Sequence, residues 1–214
     1  MTDARPVECT VEYWFSFISL YSYIGSRAFQ ALVARRALRV VYKPMDLLAV
    51  FAQSGGLPVK ERAIPRRAYR ILEMKRWREL RGIPLVLHPK HYPADPSRGH
   101  RMLLAALRDG RDVGGFVHGA LAAVWAEERN VEDADTLVAL ADAAGLDGRA
   151  LLAASDDPTL HDQAKALTEE ALDRKVFGAP FYFWQGEPFW GQDRLDMLEA
   201  AIASGRAPLP FGEV

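Results

Sequence analysis

"VEYWFSFISLYSYIG", Val11–Gly25, is the stretch on which the reading of the fold turns. Its first part, Val11–Ile18, is mostly β-branched or aromatic and apolar on both faces, the composition of a strand buried on both sides. Beyond Tyr23, "IGSRAFQALVARRA" predicts a helix, and "LRVVYKP" predicts a second short strand stopped by Pro44. Strand, helix and strand in so few residues make a βαβ unit, whose crossover is right-handed and whose strands are parallel.

Downstream the pattern changes. From about residue 65 to 175 nearly every segment has helical character. "PRRAYRILEMKRWRELRG" opens on proline and stops at Gly82, and "SRGHRMLLAALRDG" stops at Gly110. "FVHGALAAVWAEER" carries an apolar stripe through Phe116, Ala120, Ala123 and Val124. Asp133 caps "DADTLVALADAAG", and Asp157 before Pro158 starts "DPTLHDQAKALTEEALDRK". Strand character returns in "APFYFW" and "PFW", which flank "QGE" as a hairpin turn, and "RLDMLEAAIASG" closes as a helix stopped by Gly205. The order βαβ, helical block, ββα predicts an α/β, thioredoxin-like fold: a four-stranded mixed sheet with helices on both faces and an all-helical domain inserted between its halves. The expected division is residues 1–60 and 175–214 for the thioredoxin-like part and 61–174 for the insertion, with residues 47–65 as the first crossover.

Composition excludes several classes. The chain has 214 residues, half of them hydrophobic, and a net charge of −1, so nothing draws it as a whole to nucleic acid or an anionic membrane. No apolar run reaches the ~18 residues of a membrane span, and "MTDARPVECT" lacks the apolar segment of a secretory signal. The single cysteine, Cys9, has no internal partner, which fits a reducing cytoplasm. His88, His91, His100, His118 and His161 show neither His-x-x-x-His spacing nor a cysteine neighbour, so no metal site is expected.

The chemistry is at the first strand–helix junction. Ser19 and Ser22 stand three residues apart where many redox proteins of this layout carry Cys-x-x-Cys. Unpaired N–H groups and the helix dipole favour an anion there, and a serine hydroxyl donates one hydrogen bond more. That suits a thiolate brought from outside: a two-unit fall from a thiol pKa of ~8.5 needs only ~2.7 kcal/mol, within reach of a charge-assisted hydrogen bond and a helix terminus. Either serine is equally well explained as an N-cap. A serine hydrolase is disfavoured because Gly-x-Ser-x-Gly is absent around Ser19.

Two motifs carry a resemblance over nearly the whole chain. Phe15-Ser16-Phe17-Ile18-Ser19-Leu20-Tyr21-Ser22-Tyr23, together with Val176-Phe177-Gly178-Ala179-Pro180-Phe181 and Phe189-Trp190-Gly191-Gln192-Asp193-Arg194-Leu195, resembles the 2-hydroxychromene-2-carboxylate isomerases, relatives of the kappa-class glutathione transferases and more distantly of DsbA-type oxidoreductases. The resemblance implies that Ser19 hydrogen-bonds the sulfur of glutathione, the cofactor. It implies that Pro180 is a cis-proline, that the backbone of Ala179 pairs with glutathione, and that Gln192 and Asp193 bind the γ-glutamyl end. Asp193 could also cap the last helix. Arg66 or Arg67 matches the place of a basic residue for the glycyl carboxylate. The sequence departs from the family pattern at Ser16 for aspartate, Leu20 for proline, Phe181 for threonine and Gly56 for asparagine.

The activity so implied is cis–trans isomerisation of 2-hydroxychromene-2-carboxylate or a related intermediate of aromatic breakdown, by reversible addition of the glutathione thiolate. The partner is then a small aromatic carboxylate, with Tyr21, Trp77, Tyr92 and Phe181 as walls of its cleft and Lys43 or Arg67 as its cation. Relatives imply a homodimer. Two other readings stay open: a kappa-like transferase or peroxidase, and a thioredoxin-like module that binds glutathione without chemistry.

Overall fold

A computed structural model describes residues 9–212. Strand β1 (Thr10–Phe15) is followed by helix α1 (Leu20–Arg36) and strand β2 (Arg39–Pro44), which returns parallel to β1 with Tyr42 opposite Tyr13. Near the other end, β3 (Phe181–Trp184) runs antiparallel to β1 on its free side, and β4 (Glu187–Trp190) runs antiparallel to β3. The sheet order is β2-β1-β3-β4. The fold is thioredoxin-like, with a mixed four-stranded sheet as the sequence pattern requires.

The two-residue alternation of strands explains why β1 and β3 are apolar throughout. Val11, Tyr13 and Phe15 join Tyr182 and Trp184 on one face, while Trp14 joins Phe181 and Phe183 on the other. The first face is an aromatic layer: Tyr13 stacks on Tyr182 at 5.2 Å and on Phe15 at 4.6 Å, with Phe29 of α1 tilted against it at 4.8 Å. The hairpin turns on Gln185 and Gly186, with φ of +51° and +86°, the left-handed pair of a type I′ turn. Glu187, read from the sequence as part of the turn, is instead the first residue of β4, where Arg206 grips its carboxylate through two bonds of 2.7 Å.

Between β2 and β3 run α2 (Leu47–Ser54), α3 (Ile64–Arg81), α4 (Ser97–Arg108), α5 (Gly114–Trp125), α6 (Ala134–Ala143), α7 (Gly148–Ala154) and α8 (Pro158–Asp173), and α9 (Leu195–Ser204) closes the chain. The segment read as a crossover thus contains a helix, α2, capped by Asp46. Asp133 and Asp157 cap α6 and α8, and Gly82 and Gly205 end α3 and α9 in the left-handed conformation. Leu47 and Val50 of α2 and Ala171 of α8 cover the second sheet face. The first face continues without a break through Phe17, Met102 and Phe116 into the helical block, where α1 packs on α5.

One close approach positions the site. At Gly25 of α1, a Cβ would lie 2.5 Å from Cβ of Gln192, in the 3-10 turn Gln192–Arg194 that leads into α9. Helix propensity favours alanine by ~1 kcal/mol, but overpacking a rigid contact costs about 1–3 kcal/mol, so the clash prevails. Gly25→Ala is expected to lower stability by up to about 2 kcal/mol in urea unfolding; increased stability would show that the helix and turn part easily.

Candidate active site

Ser19 stands at the N-cap of α1 with φ −78° and ψ 114°. Its Oγ accepts a hydrogen bond from the Ser22 amide at 3.2 Å and donates its single proton to the Ala179 carbonyl oxygen, also at 3.2 Å. The serine therefore does cap the helix, and it also bridges to the loop before β3, 160 residues away. The Ala179–Pro180 bond is cis. Upstream, the Ser19 amide donates to the Ser16 carbonyl at 2.9 Å, and the Phe17 amide donates to Nε2 of buried His100 at 3.3 Å. The first turn of α1 carries no acidic residue of its own to offset the positive end of its dipole.

Two clefts meet at this junction. The first, about 820 Å³, is lined by Ser19, Tyr21, Arg67, Arg70, Tyr92 and Trp125 among others. The second, about 580 Å³, is lined by Arg66, Tyr69, Glu73, Trp77, Gln192 and Asp193 among others. Tyr21, Phe51, Arg62 and Ala179 line both. Helix α3 is the partition, as its periodicity dictates: Arg66, Tyr69, Glu73 and Trp77 recur at three- and four-residue intervals on one face. Ile64, Arg67, Ala68 and Ile71 recur on the other.

The arrangement sorts the residues expected from sequence. Ser19, Tyr21, Tyr92 and Arg67 meet in the first cleft; Gln192, Asp193, Arg66 and Tyr21 meet in the second, with Ala179 at the boundary. Trp77 lies in the second cleft, not beside Tyr92, with the Arg81 guanidinium 5.4 Å from its ring centre. Phe181 lines neither cleft. It is 1% exposed and packs with Trp14 and Phe183 under α2, because its register on β3 turns it to the second sheet face. Lys43 also lines neither: on β2 it bonds Glu170 of α8 at 2.5 Å and sits 4.8 Å over Trp14. Asp193 does not cap α9; Arg194 occupies that position without a side-chain bond, and the Asp193 carboxylate pairs with the Arg194 guanidinium at 2.7 Å. Oε1 of Gln192 accepts from Arg81 at 2.8 Å, which leaves its amide nitrogen as the group it can offer.

Sequence reasoning passed over Arg62, Arg70 and Trp125. Arg70 is 9% exposed, and burial pulls its guanidinium below the usual value. Its guanidinium lies 5.4 Å from the Trp125 ring centre and 6.0 Å from that of Tyr92. One signal was available: Arg70 follows Arg67 at the three-residue spacing that keeps two side chains on neighbouring parts of a helix surface. Burial also raises the phenols of Tyr21 and Tyr92, so both are neutral hydrogen-bonding groups at ordinary pH. Among the described residues no group of three or more His, Cys, Asp or Glu is placed to hold a metal ion, and no helix is long and apolar enough to cross a membrane.

The sequence model of a family described as the DSBA-like thioredoxin domain matches residues 10–203. A curated relative from Pseudomonas putida, a 2-hydroxychromene-2-carboxylate isomerase, is 30% identical over 196 residues, which cover 90% of this chain and 93% of its own length. The solved structure of a 2-hydroxychromene-2-carboxylate isomerase matches with a TM-score of 0.79 at 27% identity, covering 91% of this chain and 95% of that one. The cytosolic disulfide reductase DsbM from Pseudomonas aeruginosa, solved with GSH, matches with a TM-score of 0.64 at 19% identity over 91% of this chain and 98% of its own, a likeness of fold.

Proposed function

Since the chain belongs to the DSBA-like thioredoxin-domain family, and within it to the 2-hydroxychromene-2-carboxylate isomerases, we propose that it is a glutathione-dependent isomerase of 2-hydroxychromene-2-carboxylate or a related aromatic-degradation intermediate. The observation that carries this reading is Ser19: a buried hydroxyl at the start of α1, bonded to the Ala179 carbonyl, where the two clefts adjoin.

The second cleft fits the tripeptide. Asp193 offers a carboxylate for an α-ammonium, and Arg66 offers a guanidinium for a glycyl carboxylate. Arg67, one position on, faces the other cleft. The Ala179 carbonyl offers an acceptor for a backbone N–H. Bound there, glutathione supplies a thiolate nucleophile, whose reversible addition to a conjugated carbon frees a double bond to rotate.

The protein's own part is to keep that sulfur ionised and the substrate in place. The proton of Ser19 serves Ala179 until an incoming N–H takes over as the donor to that carbonyl. The hydroxyl is then free to turn its proton to the sulfur without leaving the carbonyl unpaired. The Ser22 amide, directed at Ser19 Oγ, fixes the oxygen meanwhile. The aromatic wall of the first cleft, Tyr21, Tyr92 and Trp125, holds a flat ring.

Incubating the protein with 2-hydroxychromene-2-carboxylate and glutathione tests this reading. Isomerisation should follow by absorbance while the free-thiol count stays constant. A falling thiol count would indicate transferase or peroxidase chemistry, and glutathione binding without turnover a non-catalytic module; each would displace the proposal.

A further inference from the structure

We propose that Arg70 holds the substrate's carboxylate, and that the first cleft selects planar aromatic acids whose carboxylate reaches its Tyr92–Trp125 end. The inference rests on the isomerase reading for the reaction served, though not for the binding itself.

Arg70 is a buried cation without an anion. Among the described residues it has no carboxylate within ion-pair distance, and its one hydrogen bond runs from Nη1 to the Met74 sulfur at 3.3 Å. A guanidinium is charged at any working pH and has five donors, and a sulfur acceptor answers only one of them weakly. The rings of Trp125 and Tyr92 attract the charge by their faces but satisfy none of the remaining N–H groups. An underused guanidinium therefore lies in the cleft beside aromatic walls. A ligand carboxylate with a conjugated ring attached completes it, taking the fork and slotting its ring beside Tyr92 and Trp125.

The other cations do not compete. Lys43 is paired with Glu170 outside the cleft. Arg62 donates Nε to the Leu57 carbonyl at 2.8 Å and lies over Phe51. Arg67 and Lys60 are exposed, where water screens their charges. The field of the cleft has the right sign, since Lys60, Arg62, Arg67 and Arg70 line it against the carboxylate of Glu61.

The test titrates trans-cinnamate and its uncharged analogue cinnamamide into the full chain by calorimetry, comparing wild type with Arg70→Gln, Arg70→Lys and Arg67→Gln. Wild type should prefer the acid by about thirtyfold, the scale of a charge-assisted pair. Arg70→Gln should abolish that preference, Arg70→Lys should keep a reduced one, and Arg67→Gln should change it less than threefold. Circular dichroism screens each variant for folding. Should Arg70→Gln fail to fold, the lysine variant and the wild-type acid–amide ratio still decide. An acid preference absent from wild type, unchanged in either Arg70 variant, or lost in Arg67→Gln alone overturns the proposal. Glutathione is titrated separately: if it does not bind while the acid preference still tracks Arg70, the isomerase reading fails and the Arg70 assignment stands. Normal glutathione binding beside an Arg70-independent acid preference has the opposite meaning.

Discussion

Ser19→Ala should keep the fold and lose up to about 25-fold of its turnover at pH 7, the most that a two-unit rise of the thiol pKa toward ~8.5 can remove at that pH. The replacement also removes the acceptor of the Ser22 amide and the donor to Ala179, so a loss of about 1 kcal/mol in stability accompanies it. Larger destabilisation is not expected, because α1 is held by its packing on α5 and the sheet rather than by its cap alone. The pH dependence identifies the role. In the wild type the sulfur should ionise roughly two units below the free-thiol value of ~8.5, so activity is already developed at neutral pH. Without the hydroxyl only the share of that shift owed to the helix terminus remains, so the ionised fraction develops at higher pH, toward the free-thiol value. The deficit should therefore be greatest near pH 6–7 and shrink above pH 9. Initial rates across pH, with absorbance of the bound thiolate near 240 nm, provide the check. Equal midpoints in the two proteins would remove Ser19 from the chemistry, whatever the size of the rate loss.

His100 gives the second large effect, in acid stability. Its ring is 4% exposed, and Nε2 accepts from the Phe17 amide, so the neutral tautomer with the proton on Nδ1 is the native form. Burial pushes its pKa down to about 3, with Arg101 lowering it further and Asp95 opposing. The unfolded chain protonates His100 near its ordinary value, 6.5, while the folded chain does not until about 3. Between those values the unfolded state binds the extra proton, so stability is full above pH 6.5 and is lost as pH falls, by an amount on the order of 5 kcal/mol at the low end. His100→Gln, which retains an acceptor, should flatten the slope of unfolding free energy between pH 6.5 and 4. If urea melts of the two proteins keep parallel pH slopes, the histidine is not the sensor. The consequence reaches the site, because the amide that His100 holds belongs to the loop two residues before Ser19.

Much of this molecule is written locally. Two-residue alternation in Val11–Phe15 and Phe181–Trp184 assigns Tyr13 and Trp14 to opposite faces of one strand, and runs apolar on both faces require a sheet covered on both sides. Asp133 and Asp157 start helices, and Gly82 and Gly205 end them, because caps and left-handed turns depend on residues within one turn of the chain. The place of Ser19 at a strand–helix junction belongs to the same class of information.

What local pattern cannot supply is the identity of whatever covers a face. Phe181 read as a cleft wall and Lys43 as a substrate cation, yet α2 and α8 close over that side of the sheet and claim both. Arg66 and Arg67 are neighbours in sequence, but a 100° step around α3 sends them into different clefts, a distinction with meaning only once the two clefts exist. Arg70 became notable only when Trp125, on another helix, was docked against it. Periodicity within about four residues, set by backbone geometry, determined the elements and their buried faces. Packing between segments distant in sequence, set by which of those faces fit together, decided which cleft residues meet and therefore where a ligand can bind.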